Sequence, residues 1–358
     1  MKILFVIQGL QSGGAERVVS VLANKFCELS HDVSILLTEN NEPSAYYLSD
    51  KVKCVDITSS NGNYLVNKIS GVKKLRCIFK KESPDVIISF ITRTNISSII
   101  ANIGLNNKII ISERNNPLVD PKNKTIRIIR DILYPISDGI VFQTEFAQSC
   151  FCKRIKKKSK LIFNPLASQI NDIDKDRERE KKIISVCRLF EQKNVQLLIN
   201  SYHKVYKDFP EFHVEIYGDG VEKDNLQKLI NNLGLKDKVR LMGRTNRPLE
   251  IMAKSSIFVL PSNYEGMPNA LIEAMSMGCA CISTDAPAFG ARAVIQNHHN
   301  GILVEVGNES EMACALSELM NNDDLRKRLG CNAMDISKML DVNNIAQQWL
   351  DYIHSIMI

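Results

Sequence analysis

Short apolar runs alternate with longer stretches of helical spacing along almost the whole chain. In the first half, strand-like runs fall at residues 2–8, 32–38, 52–57, 85–90, 108–112, 140–143 and 160–163. Val18, Val21, Leu22, Phe26 and Leu29 mark a helix over 15–29; Leu65, Ile69, Val72, Leu75 and Phe79 mark another over 65–81. The second half repeats the alternation, with strands at 183–187, 213–217, 239–242, 257–260, 280–283 and 302–304. Helical spacing there covers 195–206, 222–233, 250–254, 268–277, 309–321, 324–339 and 345–356. Continuously apolar strands alternating with helices predict parallel sheets covered on both faces, hence an α/β protein.

The alternation breaks once. Asn164-Pro165-Leu166 closes the first half, and residues 171–182 are almost devoid of apolar side chains. Residues 167–182 therefore read as a linker between domains at 1–166 and 183–341. The triplet Asp172-Ile173-Asp174 lies in this charged run with no flanking strand, and reads as solvated rather than metal-binding.

Composition narrows the class. The chain has 358 residues, 44% hydrophobic and 24% charged, a globular balance with room for two domains. No apolar run approaches the ~20 residues of a membrane span, and MKILFVIQ reads as a first strand, not a signal peptide. Ten scattered cysteines, with C-x-C pairs at Cys150/Cys152 and Cys279/Cys281, lack zinc spacing and fit free thiols in a reducing cytosol. The net charge of +6 is uneven: residues 1–165 carry 24 Lys and Arg against 14 Asp and Glu, whereas the remainder carries 22 against 26. A basic half joined to a mildly acidic one suggests different partners for the two domains.

The most informative stretch runs from Ile257 to Thr284. It reads as strand, turn, helix opened by Pro268 as first helical residue, stop at Gly278, and strand. Backbone N–H groups near Met267 to Ala270, together with the positive end of the helix dipole, suit a phosphate. Glu265 and Glu273 flank that position with seven residues between them. Glu273 falls on an apolar face with Ala270, Leu271, Ala274 and Met275, where a carboxylate needs donors; the vicinal hydroxyls of a ribose would supply them. Spacing alone leaves equally open a dipole-complementing Glu273 and a solvated Glu265. Arg188 and Lys193 fall in loops at the carboxyl ends of strands, where open α/β sheets bind ligands, although such a pair taken alone is more often solvated surface. Gly13-Gly14-Ala15-Glu16 opens the first helix and lets backbone approach an anion; a dinucleotide fingerprint would need glycine at Gln11.

The wording of Ile257–Thr284 closely resembles the nucleotide-sugar motif of retaining glycosyltransferases of family 4, which have the GT-B fold. The similarity is strongest over 183–304 and weaker before Asn164. It implies two Rossmann-like domains facing across a cleft: an acceptor-side domain at 1–166, a nucleotide-sugar-binding domain at 183–341, and a final helix at 342–358 crossing back to the first. It implies catalytic roles for Arg188 and Lys193, which neutralise the leaving diphosphate, and for Glu265 beside the donor sugar. It places Gly13, Gly14, Gly218, Gly243, Arg244, Gly266, Met267, Pro268, Asn269, Ala270 and Glu273 around the donor, with Glu273 on the ribose. Many members have a histidine near Ser112–Pro117; this chain has none, and Glu113 or Arg114 takes its place beside sugar or acceptor. A second departure puts Ala293 where the family often has glutamate.

The expected activity is transfer of a hexose or N-acetylhexosamine, with UDP as the nucleotide, to a lipid-linked or oligosaccharide acceptor in surface-polysaccharide synthesis, with no metal and no other cofactor. Alternatives are a nucleotide-sugar hydrolase or epimerase on the same fold, a nicotinamide-dependent oxidoreductase, or a non-catalytic sugar-nucleotide binder. Lys73, Arg76 and Lys80 share one flank of the 65–81 helix, and a second basic run spans 153–160. These basic clusters, with the acceptors that such family members use, give the expectation of an anionic membrane surface, a polyprenyl-diphosphate-linked acceptor and no nucleic acid partner. The expected location is cytoplasmic, peripheral on the inner face of the cell membrane.

Overall fold

A computed structural model describes residues 1–11, 13–39, 44–57, 64–167, 170, 173–174 and 178–357, with residues 64–69 as backbone only. The chain divides into two compact units, one formed by Met1–Ala167 with Leu340–Ile358 and the other by Ser168–Met339. Asp172 of the acidic triplet lies outside the described residues.

The first unit holds strands β1 (Lys2–Ile7), β2 (Asp32–Leu37), β3 (Lys53–Asp56), β4 (Val86–Phe90), β5 (Lys108–Ser112), β6 (Gly139–Phe142) and β7 (Ser159–Leu161). They form one sheet in the order β3-β2-β1-β4-β5-β6-β7, all parallel. Its helices are α1 (Gly14–Glu28), α2 (Tyr64–Glu82), α3 (Thr92–Asn102), α4 (Lys124–Leu133), α5 (Glu145–Ser149) and α6 (Lys153–Lys157). The second unit runs β8 (Glu180–Val186), α7 (Val195–Val205), β9 (His213–Tyr217), α8 (Lys223–Asn232), β10 (Val239–Gly243), α9 (Pro248–Lys254), β11 (Ser255–Leu260), α10 (Asn269–Ser276), β12 (Ala280–Thr284), β13 (Ile302–Val304), α11 (Glu309–Asn321), α12 (Asp323–Ala333) and α13 (Ile336–Met339). Its sheet is also parallel, in the order β10-β9-β8-β11-β12-β13. The last helix, α14 (Val342–Met357), belongs to the first unit.

Three local expectations are corrected. β8 begins at Glu180 rather than residue 183: Lys182 is buried, and its charge is held by Glu180 at 3.0 Å and Glu215 at 3.3 Å, so a paired lysine hides the start of a strand. Pro268 precedes α10 instead of opening it; its backbone is extended (φ −80°, ψ 105°), and its carbonyl accepts from the N–H groups of Leu271 and Ile272. The helix expected over 324–339 is two, α12 and α13, separated by Met334 and Asp335.

In the first unit α2, α3 and α4 pack side by side, while α14 packs on α1. Arg76 is not a free surface cation. Its guanidinium donates to the carbonyls of Ala101 (2.9 Å) and Ile103 (2.6 Å), satisfying the C-terminus of α3. Lys73 and Lys80 remain exposed, and Leu75 and Phe79 are buried as the helical spacing predicts.

α14 closes the core of this unit. Trp349 is fully buried and stacks on Phe90 with ring centroids 6.1 Å apart. The Tyr352 hydroxyl accepts from the Ile140 N–H (2.8 Å) and donates to the Lys158 carbonyl, clamping β6 to the entry of β7. Tyr352→Phe should therefore destabilise the first unit by about 1 kcal/mol, because the Ile140 N–H and the half-buried Lys158 carbonyl lose the hydroxyl and keep only their own longer contact at 3.3 Å. Urea unfolding followed by the fluorescence of Trp349, the chain's single tryptophan, measures that loss.

Candidate functional site

Parallel sheets gather the loops at the carboxyl ends of their strands, and the expected site residues of the second unit lie on or beside those loops, with Asn269, Ala270 and Glu273 in α10. Three of them are in close backbone contact. Gly218, just after β9, has φ +147°, and a Cβ there would lie 1.8 Å from the Cys187 carbonyl oxygen. The Leu189 N–H donates to the Asp219 carbonyl, and the Gly218 N–H donates to the carbonyl of Gly243, which itself has φ +76°. The loops after β8, β9 and β10 are thus pressed together, and glycine at 218 is what permits it. Arg244 is exposed, with Asp219 at 3.8 Å.

The loops after β8 and β11 are joined by a polar zipper. Gln192 donates to the Tyr264 carbonyl (2.9 Å), Asn194 to the Asn263 side chain (2.9 Å), and the Asn263 N–H to the Gln192 carbonyl (2.8 Å). At its centre Lys193 Nζ lies 2.5 Å from Glu265 Oε1, which also accepts from Ser262 Oγ at 2.6 Å. Thr284 Oγ1 in turn donates to the Ser262 carbonyl (2.5 Å). Both side chains of the pair are largely withdrawn from solvent, with exposures of 15% and 10%. Glu265 is accordingly a buried, paired carboxylate and not a solvated loop residue.

The loop after β12 supports the same carboxylate from the other side. The Glu265 N–H donates to the Pro287 carbonyl (3.1 Å), and a Cβ on Gly290 would sit 1.7 Å from the Gly266 oxygen. Between them Ala288 and Phe289 both have positive φ, 42° and 56°, a strained backbone held next to the site. Arg292, beside Ala293, pairs with Asp285. These two residues, with Asn263, Pro287 and Asn297, line a cavity of about 680 Å³ at the ends of β11, β12 and β13.

α10 starts at Asn269, directly after Gly266, Met267 and Pro268, so its positive dipole end follows the Glu265 loop. Glu273 is 3% exposed in its second turn among the buried Leu271, Ala274 and Met275. Arg188 differs from Lys193: it is exposed, makes no ion pair among the described residues, and rests over the Phe190 ring at 5.4 Å.

Gly13, Gly14, Glu113 and Arg114 belong to the first unit. Gly13 caps α1 in an extended conformation, and the Tyr46 hydroxyl both accepts from its N–H (3.1 Å) and donates to its carbonyl (2.9 Å). Glu113, at the end of β5, is buried and accepts from Thr92 Oγ1 (3.1 Å) and the Tyr134 hydroxyl (2.8 Å), whose own oxygen accepts from Asn95 (3.1 Å). Burial pushes the Glu113 carboxyl above its ordinary value, against the nearby charge of Arg130. Arg114 stacks over Phe90 at 4.5 Å and donates to Asn164 at 2.7 Å; burial lowers its pKa to about 9. Ile91, just before Thr92, holds φ +74°, a costly conformation for a β-branched residue. Thr92, Asn95, Tyr134, Ser262 and Thr284 escape sequence reading; a positive-φ isoleucine at a strand end leaves no local sequence signal.

This second unit, with a lysine–carboxylate pair, an exposed arginine and a helix N-terminus at one carboxyl edge, together with a first unit of the same parallel design, defines a GT-B glycosyltransferase. Residues 168–335 match the family described as "Glycosyl transferases group 1". The chain is 33% identical to a Campylobacter jejuni GalNAc-alpha-(1->4)-GalNAc-alpha-(1->3)-diNAcBac-PP-undecaprenol alpha-1,4-N-acetyl-D-galactosaminyltransferase, over 99% of this chain and 98% of that one. It is 30% identical to a second protein of that organism, N-acetylgalactosamine-N,N'-diacetylbacillosaminyl-diphospho-undecaprenol 4-alpha-N-acetylgalactosaminyltransferase, over 98% and 99%. The fold matches Staphylococcus aureus TarM, solved with UDP (TM-score 0.83, 16% identity, 99% and 100% covered). It also matches Anabaena HepE, solved with UDP and glucose (0.82, 19%, 99% and 100%). The chain belongs to the group 1 glycosyl transferases.

Two outcomes test the geometry. Lys193→Ala should cost about 2–4 kcal/mol by leaving a mostly buried carboxylate unpaired, and Glu265→Gln on that background should recover most of it. A double-mutant cycle in urea reads the coupling. For Glu113, the unfolded carboxyl titrates near its ordinary 4.5 and the folded one higher. Its contribution to stability is complete below the unfolded value and is lost as pH rises towards the folded value. The stability of wild type relative to Glu113→Gln should accordingly fall between acidic and neutral pH, as urea unfolding at each pH will show.

Proposed function

We propose that the chain transfers an N-acetylhexosamine from a UDP-sugar, with retention at the anomeric carbon, to a polyprenyl-diphosphate-linked oligosaccharide at the cytoplasmic face of a membrane. The observation that carries this reading is the Arg188, Lys193 and Glu265 constellation at one carboxyl edge, in a chain aligned end to end with transferases whose names specify undecaprenyl-diphosphate glycans. Among the described residues no helix is long and apolar enough to cross a membrane, so the contact with lipid is peripheral in this reading.

The chemistry proposed is front-face displacement. The bond from the anomeric carbon to the donor phosphate oxygen breaks as the bond to the acceptor oxygen forms. The proton of the acceptor hydroxyl passes to that phosphate oxygen. Arg188 and the first turn of α10 receive the charge of the departing diphosphate. Lys193, held by Glu265 without donor, shares itself with phosphate when donor is present. Glu273 accepts from the ribose hydroxyls, and no metal is needed in this scheme.

A panel of nucleotide sugars offered with a polyprenyl-diphosphate oligosaccharide, products read by mass spectrometry, tests the substrate class. UDP-N-acetylhexosamine should give a product one N-acetylhexosamine heavier, undiminished by chelator. Arg188→Ala should lower kcat/KM by about 10²–10³-fold. Glu273→Ala should weaken donor affinity as well as turnover, and Glu273→Gln should do so less. Donor consumption without acceptor product would indicate a hydrolase instead. Rescue of a chelator-inhibited enzyme by a divalent ion would overturn the metal-free scheme.

A further inference from the structure

α4 is built inside out. Its outward positions Ile128 and Ile132 are 61% and 65% exposed, and Ile129 between them is also exposed, whereas the residue it buries is Arg130. That arginine has partners of three kinds. It donates to the Pro117 carbonyl (2.9 Å) and to Asp131 (2.8 Å), and its guanidinium lies over the Phe151 ring at 4.7 Å. The helix is anchored by this buried cation and by Leu133, which packs against the core, leaving Ile128, Ile129 and Ile132 without a role there.

Neighbouring elements extend the apolar surface. Leu118 and Val119 are exposed ahead of α4, Ile136 after it, Ile100 on α3, which packs against α4, and Ile103 just past the end of α3. Singly exposed apolar residues are ordinary; a cluster of this kind is not. Basic side chains flank it on both sides. Lys73, Lys74, Lys80 and Lys81 are exposed on α2, which is tied to the end of α3 by Arg76. Lys153, Arg154, Lys156 and Lys157 are exposed on α6, which packs on the turn Tyr134–Ile136 after α4. Asp131, the acid on α4, is already paired with Arg130.

We infer that the isoleucine face of α4 inserts into the interfacial layer of an anionic bilayer, with the α2 and α6 cations resting on the lipid phosphates. An apolar strip between two borders of one charge sign complements a bilayer, which offers hydrocarbon and anionic headgroups over a plane. A second copy docking on the same face would set these cations against one another. The inference deepens the lipid-linked acceptor reading and takes its membrane from it, but replaces a purely electrostatic contact by one with an inserted apolar part.

The test is flotation with vesicles of phosphatidylcholine mixed with phosphatidylglycerol. Wild type should float and keep part of its binding at high salt, where an electrostatic contact alone is screened. Ile128→Asn with Ile132→Asn should lower partitioning by about tenfold or more and abolish the salt-resistant part. Both positions are exposed, so folding should survive, as unchanged far-UV circular dichroism and thermal midpoint would verify. Ile128→Trp should show blue-shifted emission on vesicle addition and quenching by brominated lipid. Flotation of the double variant equal to wild type, or a tryptophan at 128 that stays in water, would overturn the inference. So would a wild-type dimer in solution that the double variant dissolves. The two readings fail separately. Transfer to a lipid-linked acceptor with flotation indifferent to these isoleucines sinks the surface alone. Flotation that depends on them, without such transfer, sinks the acceptor reading alone.

Discussion

The parallel strand is the constraint on which the rest of this molecule depends. A parallel sheet is apolar on both faces, so polar chemistry is confined to the strand ends, and each unit puts all its carboxyl ends on one edge. Crowding at that edge follows. In the second unit the loops after β8, β9 and β10 meet at van der Waals distance or less from where a side chain would begin, which fixes glycine at 218. The same crowding lets the loop after β8 lace to the loop after β11, and holds Lys193 against Glu265 in a mostly dry setting. A charge pair so placed is poor as a source of stability, because desolvation offsets its attraction. Its value is positional: each charge keeps the other in place.

The two cations of this edge are therefore not equivalent. Lys193 is committed and enclosed; Arg188 is exposed and uncommitted among the described residues. A planar guanidinium at the surface can fork onto a phosphate without breaking an existing pair, whereas the ammonium must be shared. The first unit handles its edge charges differently. Glu113 is surrounded by hydroxyl donors, and the Arg114 guanidinium lies over the Phe90 and Trp349 rings. Backbone strain accompanies both edges, at Ile91 in one and at Ala288 and Phe289 in the other.

Much of this was legible in the sequence. Periodicity was sufficient for the strand order of both units and for the helices of the second, whereas in the first it marked only α1 and α2; the apolar run with Pro268 and Gly278 located the loop–helix junction after β11. What escaped it has common physical roots. Lys182 sits near the start of β8 because a partner from β9 neutralises it, and Arg76 looks like a surface cation until the carbonyls at the end of α3 are brought to it. α4 offers periodicity little to find, since Ile128, Ile129 and Ile132 are exposed while Arg130 is buried. Tyr134 and Thr92 reach Glu113 from separate elements, and such convergence is a property of tertiary structure alone. Pro268 missed by one position because its fixed φ suits both the cap and the first turn.

The membership of α14 in the first unit has a consequence for the making of the protein. The second unit is, in chain order, an insertion: the first unit leaves off at Ala167 and resumes at Leu340. A ribosome thus delivers most of the first unit early, but withholds Trp349 and Tyr352 until the second unit has already emerged. During that interval the Phe90 face and the β6–β7 junction stand open to solvent. The second unit is contiguous in the chain, whereas the first is complete only once α14 has been made. Vectorial synthesis therefore reverses the order of completion, and a nascent chain stalled before α14 would present an unfinished core to chaperones.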